Sequence, residues 1–266
     1  MTSAPPELPW IMDVPDFWSR LRSARTKFLA LDYDGTLAPF HVDPMKALPL
    51  PGITELVRTL GERPDTTLAI ISGRPIAEIL ELLGDLRITV VGSHGREIRR
   101  SDSRTFVDPP TTEQREGLEA ARKIAINAGH ERILERKIAS LALHTRMFPQ
   151  DKATKIENVI FQEWSTITQE YRLECLRFNG GVEIRCLGRH KGDVVGELLQ
   201  EQPRETLSVY VGDDVTDEDA FMVMREYGVG IKVGEPNTTT AATSLLRDCE
   251  EVKAFLEAWS SVASEV

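Results

Sequence analysis

Basic residues are in short supply: 32 lysines and arginines stand against 42 aspartates and glutamates in 266 residues, a formal charge of −10. A nucleic-acid binder carries a basic stripe that neutralises phosphates, and no such excess exists here. The same shortage excludes a polybasic membrane-surface protein. Long apolar runs are missing too, with nothing near the roughly 20 residues needed to span a bilayer. Cysteine is scarce. The three residues, Cys175, Cys186 and Cys249, have no metal-like spacing, and an odd count suits a reducing compartment better than a disulfide framework. The N-terminus carries Glu7, Asp13 and Asp16 with prolines between them, so no secretory signal is visible and a cytoplasmic protein is the expectation. Internal repeats and low-complexity segments are absent. What is present is an ordinary globular composition, 41% hydrophobic and 28% charged. It is enough for one large core, or for one core carrying an inserted smaller one. An acidic protein can still take an anionic substrate if a cation neutralises it.

The first 26 residues read as an arm and a short helix around 17–21. Residues 27–31 are apolar and end in Asp32, the texture of a strand buried on both faces of a parallel sheet. Ile53, Leu56, Val57 and Leu60 follow at helical spacing, closed by Gly61. A second strand spans 68–71. Pro75 then opens a helix with Ile76, Ile79, Leu80 and Leu83 on one face and Gly84 at its end. A third strand spans 88–91. This alternation predicts right-handed crossovers and a parallel sheet with helices on both faces. It resumes near the C-terminus with a helix over 194–199, a strand over 207–211, a helix around 221–227 and a last strand over 229–233. Between the halves the texture changes to two helical stretches and alternating strands at 139–147, 173–178 and 182–186, the mark of an antiparallel sheet with one face exposed. The expected organisation is an α/β core of residues 1–104 and 188–266, interrupted by an α+β insert of residues 105–187.

Ligands of an open parallel sheet bind at the carboxyl ends of its strands. There the first strand delivers Asp32-Tyr33-Asp34-Gly35-Thr36 and the second Ser72-Gly73-Arg74. The strand at 207–211 delivers Gly212-Asp213-Asp214, with Asp217, Glu218 and Asp219 just after. Carboxylates crowded on one sheet edge repel each other unless a hard cation sits among them, and Mg²⁺ is the natural candidate for all-oxygen ligation. Asp32 and Asp34 are i and i+2 on an extended segment, so they share a side while Tyr33 points away. Gly35 permits a turn that leaves backbone N–H groups free for an anion. An Asp-x-Asp-Gly run is also a common surface turn, but a second carboxylate cluster ending another strand weighs against that. Lys191, ahead of a helix, is either solvated or the fixed positive charge that a phosphate site needs. Ser72 either caps the next helix or holds a phosphate oxygen. In the insert, Ser140, Ala142, His144 and Arg146 share one strand face and Leu141, Leu143 and Met147 the other. Glu183 and Arg185 also share a face. These polar faces are either solvated or set to hydrogen-bond a substrate.

In that chain order the four sets resemble the haloacid dehalogenase-like phosphatase superfamily. More narrowly, the 212–221 run, the 31–37 run with Pro39 after it, Ile71-Ser72-Gly73-Arg74 and the 92–97 run resemble the trehalose-6-phosphate phosphatase family. So do the insert segments 137–146 and 181–185. The resemblance implies a Rossmann-like parallel-sheet core with an inserted α+β cap of type C2B. It implies a Mg²⁺-dependent phosphoric monoester hydrolase of trehalose biosynthesis, working through an aspartyl-phosphate on a small sugar phosphate. Asp32 would be the nucleophile, Asp34 the general acid and base, and Lys191 and Ser72 the holders of phosphoryl oxygens. The implied metal set is Asp32, Asp34 through its backbone carbonyl, and Asp213, with Asp214 and Asp217 from the same cluster. The implied substrate contacts are Gly73, Arg74, His94, Lys137, His144, Arg146 and Glu183. A functional pairing with a trehalose-6-phosphate synthase is also implied. Related capped phosphatases of sucrose 6-phosphate or a glycosyl-3-phosphoglycerate would share the sheet chemistry and differ in the cap. A non-catalytic sugar-phosphate sensor could lose its aspartates, yet Asp32, Asp34, Lys191 and Asp213 are all present. Cys186 stands where the family usually has proline, and Asp193 where it has a small residue.

Overall fold

Residues 8–235 and 239–262 are described by a computed structural model. The first seven residues of the expected N-terminal arm lie outside the described residues. After α1 (Pro15–Ser23), β1 (Lys27–Leu31), α2 (Ile53–Gly61), β2 (Thr66–Ile71), α3 (Ile76–Leu83) and β3 (Thr89–Gly92) alternate. A hairpin of β4 (Glu97–Arg99) and β5 (Thr105–Val107) follows. The insert comprises α4 (Thr112–Asn127), β6 (Leu134–Arg136), β7 (Ser140–His144), α5 (Gln150–Ser165), β8 (Leu173–Phe178) and β9 (Gly181–Cys186). The chain then returns through α6 (Lys191–Gln200), β10 (Leu207–Gly212), α7 (Glu218–Tyr227), β11 (Val229–Val233), β12 (Ser244–Leu246) and α8 (Cys249–Ser261).

The large sheet runs β12-β11-β10-β1-β2-β3-β4-β5, parallel from β12 to β3. Every residue of β1 and β10 is buried, as uninterrupted apolar runs require in a sheet covered on both faces. One face packs on α1, α2, α3 and α8 through Phe17, Val57, Ile79 and Trp259, the other on α6 and α7 through Val195, Leu198 and Phe221. The insert forms its own antiparallel sheet, β6-β7-β9-β8. α4 and α5 cover its apolar face, where Trp164 donates its indole N–H to the Ala121 carbonyl oxygen at 2.9 Å. Among the described residues no helix is long and apolar enough to cross a membrane.

Several expectations need correction. The polar face of the insert sheet is not open to water: Ser140, Glu183 and Arg185 are buried, because that face meets the carboxyl edge of the large sheet. The strand expected at 139–147 ends at His144, and Met147, expected on its apolar face, is exposed. The last strand is β12, not β11, and α8 follows it. β5 hydrogen-bonds into the large sheet, so that sheet extends three residues past the boundary expected at 104. These omissions share a cause. β4, β5 and β12 are three residues each, too short to show a period, and they are held by their neighbours rather than by their own pattern.

Candidate active site

β1 and β10 lie side by side, and the Asp32 N–H donates to the Val211 carbonyl oxygen at 2.8 Å. The loops that leave them therefore start from one point. Tyr33 turns into the core and donates its O–H to the Ala47 carbonyl oxygen at 2.7 Å, which leaves Asp32 and Asp34 on the opposite side, as i and i+2 require. Gly35 has φ +74°, and a Cβ there would come 2.1 Å from Asp213 Oδ2. The amides that follow Asp34 are engaged within the turn. Gly35 N–H donates to Ala38, and Thr36 and Leu37 N–H donate to Tyr33.

Lys191 opens α6. The helix is capped by His190 and Asp193, each accepting the other's backbone N–H, at 3.3 and 2.9 Å; Asp193 thereby fixes the turn that carries the lysine. An ammonium at a helix N-terminus opposes the dipole, and two carboxylates offset this. Lys191 Nζ donates to Asp32 Oδ1 and Asp217 Oδ1, both at 2.7 Å, with all three residues buried. Burial alone would lower the Lys191 pKa, but Asp217 and Asp32 hold it above the usual lysine range. Burial, with repulsion from Asp217, pushes Asp32 up to about 8 against the pull of Lys191. Asp213 is raised well above the usual range by burial and then by Asp32 and Asp217.

Oxygens of Asp32, Asp213 and Asp217 lie within 4.8 Å of one another. Asp213 Oδ1 is buried without a hydrogen-bond partner. An orphaned oxygen beside carboxylates of raised pKa suits a hard divalent cation. Asp217 accepts from Lys191, from Tyr210 O–H at 2.5 Å, and from the Asp213 and Asp214 amides at 3.0 and 2.9 Å, so it braces the cluster from behind. Asp214 Oδ1 accepts from Val215 N–H at 2.8 Å and falls outside the three-carboxylate group. The Asp34 carboxylate is held by Arg74. Glu218 turns to the Ala241 amide and Asp219 towards Arg185 and His190.

A cleft enclosing about 860 Å³, open space included, lies above these groups. It brings together Asp32, Asp34, Ser72, Gly73, Arg74, His94, Lys191, Asp213 and Asp214 from the large sheet with Lys137, His144, Arg146 and Glu183 from the insert. Asp217 lies beneath it. Ser72 does not cap the next helix, whose N-cap is Pro75; its Oγ accepts from Arg74 N–H at 3.1 Å within the preceding turn, and its own hydroxyl proton remains to be given. Arg74, which lines the cleft, donates from its guanidinium to Asp34 and Glu78. Gly73 makes room for His94, whose ring a Cβ would meet at 2.6 Å.

Glu183 joins the two parts. Its Oε1 accepts from Ser140 Oγ at 2.7 Å and Lys137 Nζ at 3.4 Å, and its Oε2 lies 3.1 Å from His94 Nε2. Burial would raise its pKa, but Lys137, His94 and Ser140 hold it well below the usual range. His94 is itself lowered by burial and adopts φ 55°, a left-handed conformation that costs a non-glycine residue energy. His144 Nε2 pairs with Glu135 at 2.6 Å, and the Arg146 guanidinium lies 4.6 Å from the Phe40 ring centroid. Glu78, Glu135, Phe40 and Phe178 also line the cleft without having been anticipated. Glu135 had a signal, since it alternates with Lys137 on one extended segment; the aromatic pair had none.

A model of the trehalose-phosphatase family matches residues 30–250. Trehalose-phosphate phosphatase B of Arabidopsis thaliana is 30% identical over 277 residues, covering 93% of this chain and 71% of that one. Trehalose-6-phosphate phosphatase of Escherichia coli K12 is 31% identical over 232 residues, covering 85% and 84%. The solved C-terminal domain of Candida albicans trehalose-6-phosphate phosphatase superposes with a TM-score of 0.85 at 24% identity, covering 100% of both chains, and shares the α/β fold. On the span of the family match and the identity of these relatives, the chain belongs to the trehalose-phosphatase family.

Proposed function

We propose that the chain is a Mg²⁺-dependent phosphatase that hydrolyses trehalose 6-phosphate to trehalose and phosphate. The observation that carries this reading is the single cleft in which Asp32, paired with Lys191, faces the polar groups of the insert. An Asp32 oxygen forms a bond to phosphorus as the phosphorus–sugar oxygen bond breaks, and the leaving oxygen takes a proton from Asp34. Asp34 then takes a proton from a water whose oxygen bonds phosphorus, and the bond to Asp32 breaks. Lys191 and Ser72 hold phosphoryl oxygens throughout, so positioning and charge neutralisation do most of the work. Mg²⁺, held by Asp32, Asp213 and the Asp34 carbonyl, would supply further neutralisation.

The insert, residues 108–187 by sheet membership, acts as the cap. Glu183, Lys137, Glu135 and His144 hydrogen-bond sugar hydroxyls, and a site built on such bonds rejects esters that leave them unpaired. A cytoplasmic setting, supported by the free thiols of Cys175, Cys186 and Cys249, and pairing with a synthase that supplies the substrate complete the reading.

A kinetic panel of trehalose 6-phosphate, sucrose 6-phosphate and a glucosyl-3-phosphoglycerate tests it. Trehalose 6-phosphate should lead in kcat/KM by on the order of 10²-fold or more; a lead by either competitor overturns the substrate assignment. Chelator dialysis is expected to abolish phosphate release and Mg²⁺ to restore it. Asp213→Asn should raise the Mg²⁺ needed for half-maximal rate by about tenfold or more, measured by titration; an unchanged midpoint would remove Asp213 from the metal set.

A further inference from the structure

The geometry points to Arg74 as the positioning residue that aims Asp34 for proton transfer; this rests on Asp34 being the general acid and base. Arg74 Nε donates to Asp34 Oδ2 at 2.6 Å and Nη2 to Asp34 Oδ1 at 2.7 Å. Two parallel bonds of this kind fix the plane of a carboxylate as well as its place. The guanidinium is fixed in turn: Nη1 donates to Glu78 Oε2 at 3.2 Å, and its plane lies 5.5 Å from the Tyr33 ring centroid. Its backbone is tied on both sides, N–H to Ser72 Oγ at 3.1 Å and carbonyl oxygen from Ser93 N–H at 2.8 Å. Arg74 is 6% exposed, while the Asp34 side chain is 28% exposed. The arginine is thus the rigid partner and the aspartate the one that needs holding.

The arrangement also leaves Asp34 able to react. A carboxylate has about four lone-pair positions, and the fork takes one on each oxygen. The other on each oxygen stays available for the proton that passes to the leaving sugar oxygen and is later recovered from water. Arg74 reaches Asp34 from the loop after β2, next to β1 in the sheet, so the two loops are joined across neighbouring strand ends. Sugar contact is not needed to explain its presence.

The test compares two leaving groups. An alkoxide needs a proton to depart, whereas p-nitrophenolate is stable as an anion. Arg74→Gln is expected to lower kcat on trehalose 6-phosphate by on the order of 10²-fold with little change in KM. The pre-steady-state burst of p-nitrophenolate from p-nitrophenyl phosphate should stay within about threefold of the parent. An equal fall on both esters, or a rise in KM alone, overturns the positioning role. Arg74→Lys keeps the charge without the fork and is expected to behave like Arg74→Gln; full recovery also overturns it. Asp34→Asn run in parallel separates the two readings. If Asp34→Asn discriminates between the esters and Arg74→Gln does not, the positioning role fails. If Asp34→Asn itself shows no discrimination, the acid–base reading falls and the positioning role with it. Should Arg74→Gln not fold, Glu78→Gln decides, with the same discrimination at smaller amplitude expected and its absence counting against the proposal.

Discussion

Asp32→Asn is expected to slow phosphate release from trehalose 6-phosphate by on the order of 10³-fold or more, while its metal-free form unfolds at the same or a higher temperature than the parent. The amide cannot form the acyl phosphate, so loss of rate needs no change in shape. The stability half follows from electrostatics. Burial and the neighbouring Asp217 push Asp32 up to about 8, against an ordinary carboxylate near 4. A carboxyl raised in the folded state contributes stability that is fully present below its ordinary pKa and is lost as pH rises through about 8. The parent, freed of metal, should therefore lose stability between roughly pH 4 and pH 8, and Asp32→Asn should lose less over the same interval. Thermal unfolding in chelator at both ends of that window, beside a phosphate assay, reads both halves. Retained phosphate release would move the nucleophile elsewhere.

Lys191→Met should be the costliest substitution for folding. The ammonium is buried between Asp32 and Asp217, 2.7 Å from each. Methionine fills much of the same volume and removes the charge, leaving the Asp32 and Asp217 carboxyl groups buried without their cation. Breaking a buried ion pair from one side costs about 3–5 kcal/mol, which for a chain of this size is a large share of its total stability. The lysine's own pKa is held above its usual range, so its contribution is present throughout neutral pH and does not titrate away there. Urea unfolding near neutral pH should show the midpoint fall. Phosphate release should vanish together with the phosphoryl contact. A loss of under about 1 kcal/mol would mean that the cluster behaves as a surface pair.

How much of this was readable in advance follows from where the information sits. β1, β2, β3, β10 and α6 show in the sequence because burial on both faces or on one stripe demands apolar residues at fixed spacing. Strand ends in a parallel sheet gather at one edge, so Asp32, Asp34, Ser72, Lys191 and Asp213 could be gathered there before any coordinates. The assignment of donors to acceptors was not readable. Asp217, one of the three clustered carboxylates, also accepts four hydrogen bonds. Arg74, which lines the cleft, forks onto Asp34. Both facts depend on which lone pair faces which N–H, and that is settled by packing between loops distant in the chain. The polar face of the insert could be seen by alternation, but its burial could not, because burial there needs the other sheet.

The contact at position 35 bears on how such a chain can vary. A Cβ there would occupy the space that the Asp213 carboxylate now fills, 2.1 Å from Oδ2. The two residues, 178 positions apart in the chain, therefore compete for one volume. Any side chain added at 35 displaces Asp213 before it touches anything else, and Asp213 cannot be compensated by a neighbour, since Asp214 and Asp217 are already engaged. A side chain at 35 meets both a strained backbone, at φ +74°, and the Asp213 carboxylate, which must shift from its present place; a designer seeking to stiffen the loop with alanine must look elsewhere in it.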